Sequence, residues 1–322
     1  MFKPKVLLVA LLIFTLVFGT VACTITTNEQ PVEEPDQKEA QDKPAAEDKD
    51  QPAKENEDSA GYAHPESLVS PKQLKKMIEE GQVKVVYFRD AKLPGGYIPG
   101  AVKIARGDIA TEIDGVKGMI APKEQIEKVL GQAGISNEDT IVIYDDDNEL
   151  WAARLWWVMK VYGHEDVRLL NGGLGAWKAV GFDTEMAAAE PKAVTYTAKE
   201  ANKDLIADLE LVKKSYDRES LVVLDTRSEK EWNDGHIPGA VWIEWTQALN
   251  EDGTYKSVEE LKELYKGKGI TADKEAIIPH CKSAVRAAHT MFALTELLGY
   301  DNVRNYDGSW LEYSQSGEPI EK

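Results

Sequence analysis

Cysteine is nearly absent: Cys23 and Cys281 are the only two in 322 residues. A disulfide framework is therefore out of reach, and so is a zinc site built on several thiolates. Histidine is sparse as well, five residues at wide spacing, which gives no metal-ligand cluster. Base is short relative to acid, with 38 Lys and Arg against 56 Asp and Glu and a net charge of −18. That balance argues against a nucleic-acid-binding surface, because neutralising phosphates takes clustered cations. Hydrophobic residues are not scarce. At 43% of the chain, with 8% aromatic, they can bury real cores and exclude wholesale disorder. The length exceeds one average domain, so two globular units are expected.

The N-terminus accounts for the first cysteine. Lys3 and Lys5 precede an apolar run from Val6 to Phe18, then Gly19-Thr20-Val21-Ala22-Cys23. A cationic start, an apolar run and small residues are the marks of a secretory signal, and the run is short of the about 20 residues a spanning helix needs. Val21-Ala22-Cys23 resembles a bacterial lipobox, with Thr20 where Leu is usual. The expectation is a signal peptide over 1–22 and a lipid anchor on Cys23, leaving the protein exported and bound to the outer side of the cell membrane. Residues 24–60 hold 12 acids, 4 bases and almost no large apolar side chain. They read as a solvated tether, so 23–62 is taken as lipidated Cys and linker.

Beyond it, helix and strand signals alternate. Ser70-Pro71 is an N-cap with a first-turn proline, opening a helix through Met77; Val83–Phe88 and Thr140–Tyr144 read as buried strands. Leu205–Tyr216 reads as a helix and Leu221–Leu224 as a strand, while Ser257 to Glu260 is a capping box opening a helix through Tyr265. The fold class is α/β: two tandem domains, over 63–190 and 191–322, each a mainly parallel sheet flanked by helices. The halves also repeat. Gly96-Tyr97-Ile98-Pro99-Gly100-Ala101-Val102 returns as Gly235-His236-Ile237-Pro238-Gly239-Ala240-Val241. Gly163 to Arg168 returns as Gly299 to Arg304, an offset of 136 residues, and several such matches in one order mark an internal duplication.

Cys281 stands between a strand, Glu275–Pro279, and a helix, Val285–Leu298. At such a junction a thiol meets free backbone N–H groups and the positive end of the helix dipole. Lys282 and Arg286 add cations, so the thiol pKa is expected to fall and the loop to suit an anion. His280 is placed to lower that pKa or to act as a base, or simply to hold the loop; His289 reads as structural.

With these residues the chain resembles a tandem-domain rhodanese, a sulfurtransferase of the thiosulfate and 3-mercaptopyruvate type. The resemblance covers about residues 66–320. It rests on Asp225-Thr226-Arg227, Gly235 to Ala240, the loop Cys281-Lys282-Ser283-Ala284-Val285-Arg286, and Asp307-Gly308. It implies an inactive first domain, a catalytic second one, and two steps. The Cys281 thiolate takes the outer sulfur of an anionic donor as a persulfide, and cyanide or a thiol then removes it. It further implies that Arg227 reaches the donor's head, or else pairs with Asp225 or Glu231. Lys282, Ser283, Ala284, Val285 and Arg286 would form the sulfur and anion pocket, with His280 and Asp225 assisting. At the offset of 136, Asp145 stands where Cys281 does and Leu150 where Arg286 does, so the first half reads as scaffold and cleft wall. Lys282 and Arg286 favour thiosulfate over 3-mercaptopyruvate, although Ser283 also fits the latter group. Related phosphatases carry one more residue between Cys and Arg than the four here. A persulfide carrier working with a partner protein is the alternative. No cofactor or metal is implied, and the chain is taken as a monomer that meets only small sulfur donors, their acceptors and a membrane.

Overall fold

Strands rich in Val, Ile and Tyr with no polar face can only lie inside a sheet covered on both sides by helices. The computed structural model, which describes residues 61–90 and 96–322, is built on such strands. All of these residues belong to one unit, Lys54–Lys322. The expected signal peptide, the lipid-bearing Cys23 and nearly all of the tether lie outside the described residues. Tyr62, assigned to the tether, is instead buried, and its hydroxyl donates to the Lys256 carbonyl at 2.7 Å.

The first half runs β1 (Leu68–Val69), α1 (Pro71–Glu79), β2 (Lys84–Phe88), β3 (Val102–Ile104), β4 (Ala110–Ile113), β5 (Val116–Ile120), α2 (Lys123–Gln132), β6 (Ile141–Tyr144), α3 (Ala152–Val161), β7 (Val167–Leu170) and α4 (Gly173–Ala179). Its sheet is parallel, in the order β1-β7-β6-β2-β3, and β4-β5 is a separate antiparallel hairpin. The second half runs β8 (Ile206–Ala207), α5 (Leu209–Lys214), β9 (Leu221–Asp225), α6 (Glu229–Asp234), β10 (Val241–Trp242), α7 (Val258–Lys266), β11 (Ala276–His280), α8 (Val285–Phe292), β12 (Asn305–Tyr306) and α9 (Ser309–Tyr313). Parallel β10-β9-β11 forms one sheet and β12-β8 a parallel pair, with Ile277 bridging to Val303.

Local chemistry explains most boundaries. Ser70 and Gln73 close a reciprocal cap at the start of α1, and Ser257 and Glu260 do the same for α7. The helix expected over Leu205–Tyr216 begins later, at Leu209. Ile206 and Ala207 are drawn into strand pairing with Asn305 and Tyr306, and Asp208 then caps the helix through the Leu211 amide at 2.8 Å. The helix after Cys281 is α-helical through Phe292 and ends in a π-type turn, Ala293–Leu297.

The two halves share one hydrophobic core. Leu155, Trp156 and Met159 of α3 lie in it with Met291 and Phe292 of α8, and the Trp156 and Phe292 rings meet edge to face at 5.1 Å. Full burial of each such side chain contributes about 1.5–3 kcal/mol, so the halves are held together by core rather than by a tether. The helices that follow the two equivalent loops are the ones that pack together. That packing sets the Cys281 loop beside the first half.

Candidate active site

Parallel pairing of β11 with β9 runs Ala276 to His280 against Leu221 to Asp225. Cys281 is the first residue past the carboxyl end of β11, where open α/β sheets place their sites. Thr226 locks that end: its amide and hydroxyl donate to the His280 carbonyl at 3.0 and 2.9 Å. From there the chain turns through Lys282, Ser283 and Ala284 into α8. Ala284 holds the left-handed conformation (φ 56°, ψ 21°) that glycine usually supplies, and it is fully buried. Ser309 fastens the loop from outside. Its hydroxyl accepts from the amides of Cys281 (3.3 Å) and Ala284 (3.1 Å) and donates to the Tyr306 carbonyl (2.7 Å). The amides of Lys282, Ser283, Val285 and Arg286 find no acceptor among the described residues. They are the remaining donors of the cradle.

The equivalent loop of the first half fills its cradle with its own anion. Asp145 is fully buried, and its carboxylate accepts from the amides of Asp147 (2.8 Å), Glu149 (3.1 Å), Trp151 (2.7 Å) and Ala152 (2.9 Å). Burial still raises its pKa to about 6, against the pull of those bonds. At the offset of 136 the four donors correspond to Ser283, Val285, Ala287 and Ala288. Even the left-handed residue is preserved, Asn148 at φ 55° for Ala284 at φ 56°. The two loops are one anion nest, closed by a carboxylate in one half and holding a thiol in the other.

The cationic residues divide sharply. Arg286 lies half-buried at the start of α8 and makes a two-pronged ion pair with Glu231, at 2.5 and 2.9 Å. That pair lowers the Glu231 pKa to about 2, and the facing Cys281 and Glu231 raise that of Arg286 further. Lys282 is exposed. Arg227 takes the second of its two expected places, the pair with Asp225. It is 2% exposed, donates to Asp225 at 2.6 Å and to the Gly235 carbonyl at 2.8 Å, and lies 4.1 Å beneath the Trp310 ring. Trp310 in turn donates its amide to the Cys281 carbonyl at 2.9 Å, so Arg227 supports the site from below. His280 and Asp225 belong to the same buried cluster. His280 Nε2 lies 3.5 Å from Asp225 and Nδ1 3.4 Å from the Cys281 carbonyl oxygen. Burial holds His280 neutral, and its contact with the Cys281 carbonyl fits the loop-holding place expected as the alternative to lowering the thiol pKa or acting as a base.

Three contributors from the first half were not readable from the sequence. Arg106 donates to Ser283 Oγ at 2.9 Å. Arg154 reaches from α3 to Asp307 at 2.7 Å, to the Gly118 carbonyl at 3.1 Å and toward the Ala284 carbonyl at 3.5 Å. Gly118, on β5, lets the hairpin pass close to the loop: a Cβ there would sit 2.8 Å from Arg106 Nη2 and 3.6 Å from Ser283 Cβ. No local pattern marks these residues, because Arg106 and Arg154 meet Ser283 and Asp307 across 177 and 153 positions. Among the described residues no group of three His, Cys, Asp or Glu side chains gathers as a metal site would. No helix among them is long and apolar enough to cross a membrane.

Comparison with known proteins agrees with this geometry. The Rhodanese-like domain family matches residues 70–180 and 208–316. The chain is 38% identical over 286 residues to "Sulfur carrier protein TtuD" of Thermus thermophilus, covering 81% of this chain and 99% of that protein. It is 40% identical over 247 residues to "Putative thiosulfate sulfurtransferase" of Saccharopolyspora erythraea, covering 70% and 85%. In structure it is similar to SseA from Escherichia coli, described as a 3-mercaptopyruvate sulfotransferase. There the TM-score is 0.67 at 27% identity, covering 76% of this chain and 98% of that one.

Proposed function

Since the chain belongs to the rhodanese family, with the loop of a sulfurtransferase, we propose that it moves a sulfane sulfur from thiosulfate, or less readily from 3-mercaptopyruvate, through a Cys281 persulfide to cyanide or a thiol. The observation that carries this reading is the pair of equivalent loops. The first-half nest is occupied by a carboxylate held on four amides, and two of their equivalents, Ser283 and Val285, are open at Cys281, so that loop is built for negative charge on or beside sulfur.

The thiolate of Cys281 attacks the outer sulfur of thiosulfate. The sulfur–sulfur bond of the donor breaks, and sulfite leaves with the bonding pair. The persulfide so formed keeps one negative charge, which the free loop amides and Arg286 face. Cyanide then attacks the terminal sulfur, thiocyanate departs, and the thiolate returns. Neither half needs an outside oxidant, reductant or organic cofactor.

Intact-protein mass after incubation with thiosulfate or 3-mercaptopyruvate tests the proposal, with Cys281→Ser alongside. The expected result is a gain of one sulfur on the unmodified chain only, released as thiocyanate on adding cyanide. No gain with either donor refutes it. A second reading, a sulfur carrier serving a partner protein, is favoured by the likeness to the Thermus thermophilus sulfur carrier. Such a carrier would accept one sulfur yet show no sustained turnover to cyanide or small thiols.

A further inference from the structure

The sequence places the donor's counter-charges on the second half, at Arg227, Lys282 and Arg286. In the fold, three of the four arginines at the seam are already neutralised by carboxylates. Arg227 pairs with Asp225 at 2.6 Å, Arg286 with Glu231 at 2.5 Å, and Arg154 with Asp307 at 2.7 Å. Arg106 is the exception. Its guanidinium reaches the Ser283 hydroxyl at 2.9 Å and lies 5.5 Å from the Trp151 ring; among the described residues no carboxylate comes within 4.0 Å, and Asp90 acts on it only as a more distant charge.

We propose that Arg106, supplied by the catalytically silent half, is the donor-binding cation of this site. It would take the oxyanion end of the donor across the seam while the outer sulfur meets Cys281. The inference rests on the sulfur-transfer reading above and names the residue that recognises the donor. Arg106 has the required placement, since Ser283 is two residues past Cys281 in the loop. It is half-buried, which strengthens a charge–charge contact, yet not sealed off as Arg154 and Arg227 are. The Trp151 ring beneath it limits its orientations, and the missing side chain of Gly118 leaves its guanidinium room. Burial and the nearby Arg154 charge lower its pKa against the smaller pull of Asp90 and Cys281, so an arriving anion relieves repulsion already present. Lys282, exposed at the next loop position after Cys281, adds a second cation to the site, a balance that suits a dianion.

Thiosulfate binding to the Cys281→Ser chain, which cannot react, tests this by isothermal titration calorimetry. Adding Arg106→Gln is expected to weaken binding by about 30-fold, as loss of a charge-assisted contact does. Arg106→Lys should restore most of it, and Lys282→Gln should have the smaller effect because that side chain is exposed. Raising salt should weaken binding in the Arg106 protein and little in the Gln variant. A Kd unchanged by Arg106→Gln overturns the proposal, as does absence of binding to the Cys281→Ser chain itself. Failure of the underlying reading looks different. In that case the Cys281 chain gains no sulfur from thiosulfate although binding depends on Arg106. Conversely, sulfur gain at an unchanged rate in Arg106→Gln preserves the reading and removes Arg106 from it.

Discussion

Arg154 offers the sharpest test of how the first half supports the loop. Its side chain is 1% exposed, leaves α3, and donates to Asp307, itself 3% exposed, across 153 positions of sequence. Asp307 also accepts from the Ile120 amide at 2.7 Å, and the Arg154 guanidinium lies 4.4 Å from the Trp157 ring. Arg154→Met keeps most of the apolar stem and removes the charge. It leaves the Asp307 carboxylate in the core without its cation and takes a donor from the Gly118 carbonyl, while Asn305 still donates to the Ala284 carbonyl, so the expected loss is about 3–5 kcal/mol. With a urea dependence of about 3 kcal/mol per molar, that is a midpoint shift of about 1–2 M. Because both halves share one core, the transition should stay single, and tryptophan fluorescence reports it directly. Asp307→Asn in the same background should recover part of the loss, since the pair then disappears from both sides, with a coupling of about 0.5–3 kcal/mol. A shift below about 0.3 M for Arg154→Met, or strict additivity of the two changes, would refute the claim that this pair fastens the seam.

Two further predictions concern groups beneath the loop. Arg227→Ala leaves Asp225 buried without its cation, beside only a backbone amide and the neutral His280, so stability should fall by about 3–5 kcal/mol while KM for thiosulfate in the folded variant stays within about threefold of the parent. A large rise in KM with stability unchanged would return the guanidinium to the donor. His289 is stacked on Tyr255, with Trp245 edge-on, and burial lowers its pKa from 6.5 to about 3. The unfolded chain therefore takes up a proton that the folded one refuses. Stability from this group is complete above pH 6.5 and is lost as pH falls through 6.5 toward 3. Asp145 acts with the opposite sign between about 6 and 3.8, but it is common to parent and variant. Urea midpoints at pH 7.5 and 5 should thus differ less for His289→Phe than for the parent; an equal difference would show that His289 carries none of the dependence.

The sequence determined what is local or repeated. Strand, Cys281, short loop and helix follow one another without a break, so backbone geometry alone puts the sulfur over free amides. The offset that carries Cys281 onto Asp145 carries Ala284 onto Asn148 as well, and a duplicated loop keeps its turn. Caps such as Ser70–Gln73 and Ser257–Glu260 are readable because both partners lie within one turn. What the sequence could not decide is which cations are already spent. Arg227 stands beside Asp225 in the chain, yet its removal from the site depends on the Gly235 carbonyl and the Trp310 ring closing over it. Arg286 keeps its place at the loop only with Glu231 as partner, 55 positions away. Arg106 and Arg154 have no local signature, because their partners Ser283 and Asp307 meet them only once α3 and α8 have packed. Charge is read from composition, but its availability depends on burial and pairing, and only the tertiary structure decides those.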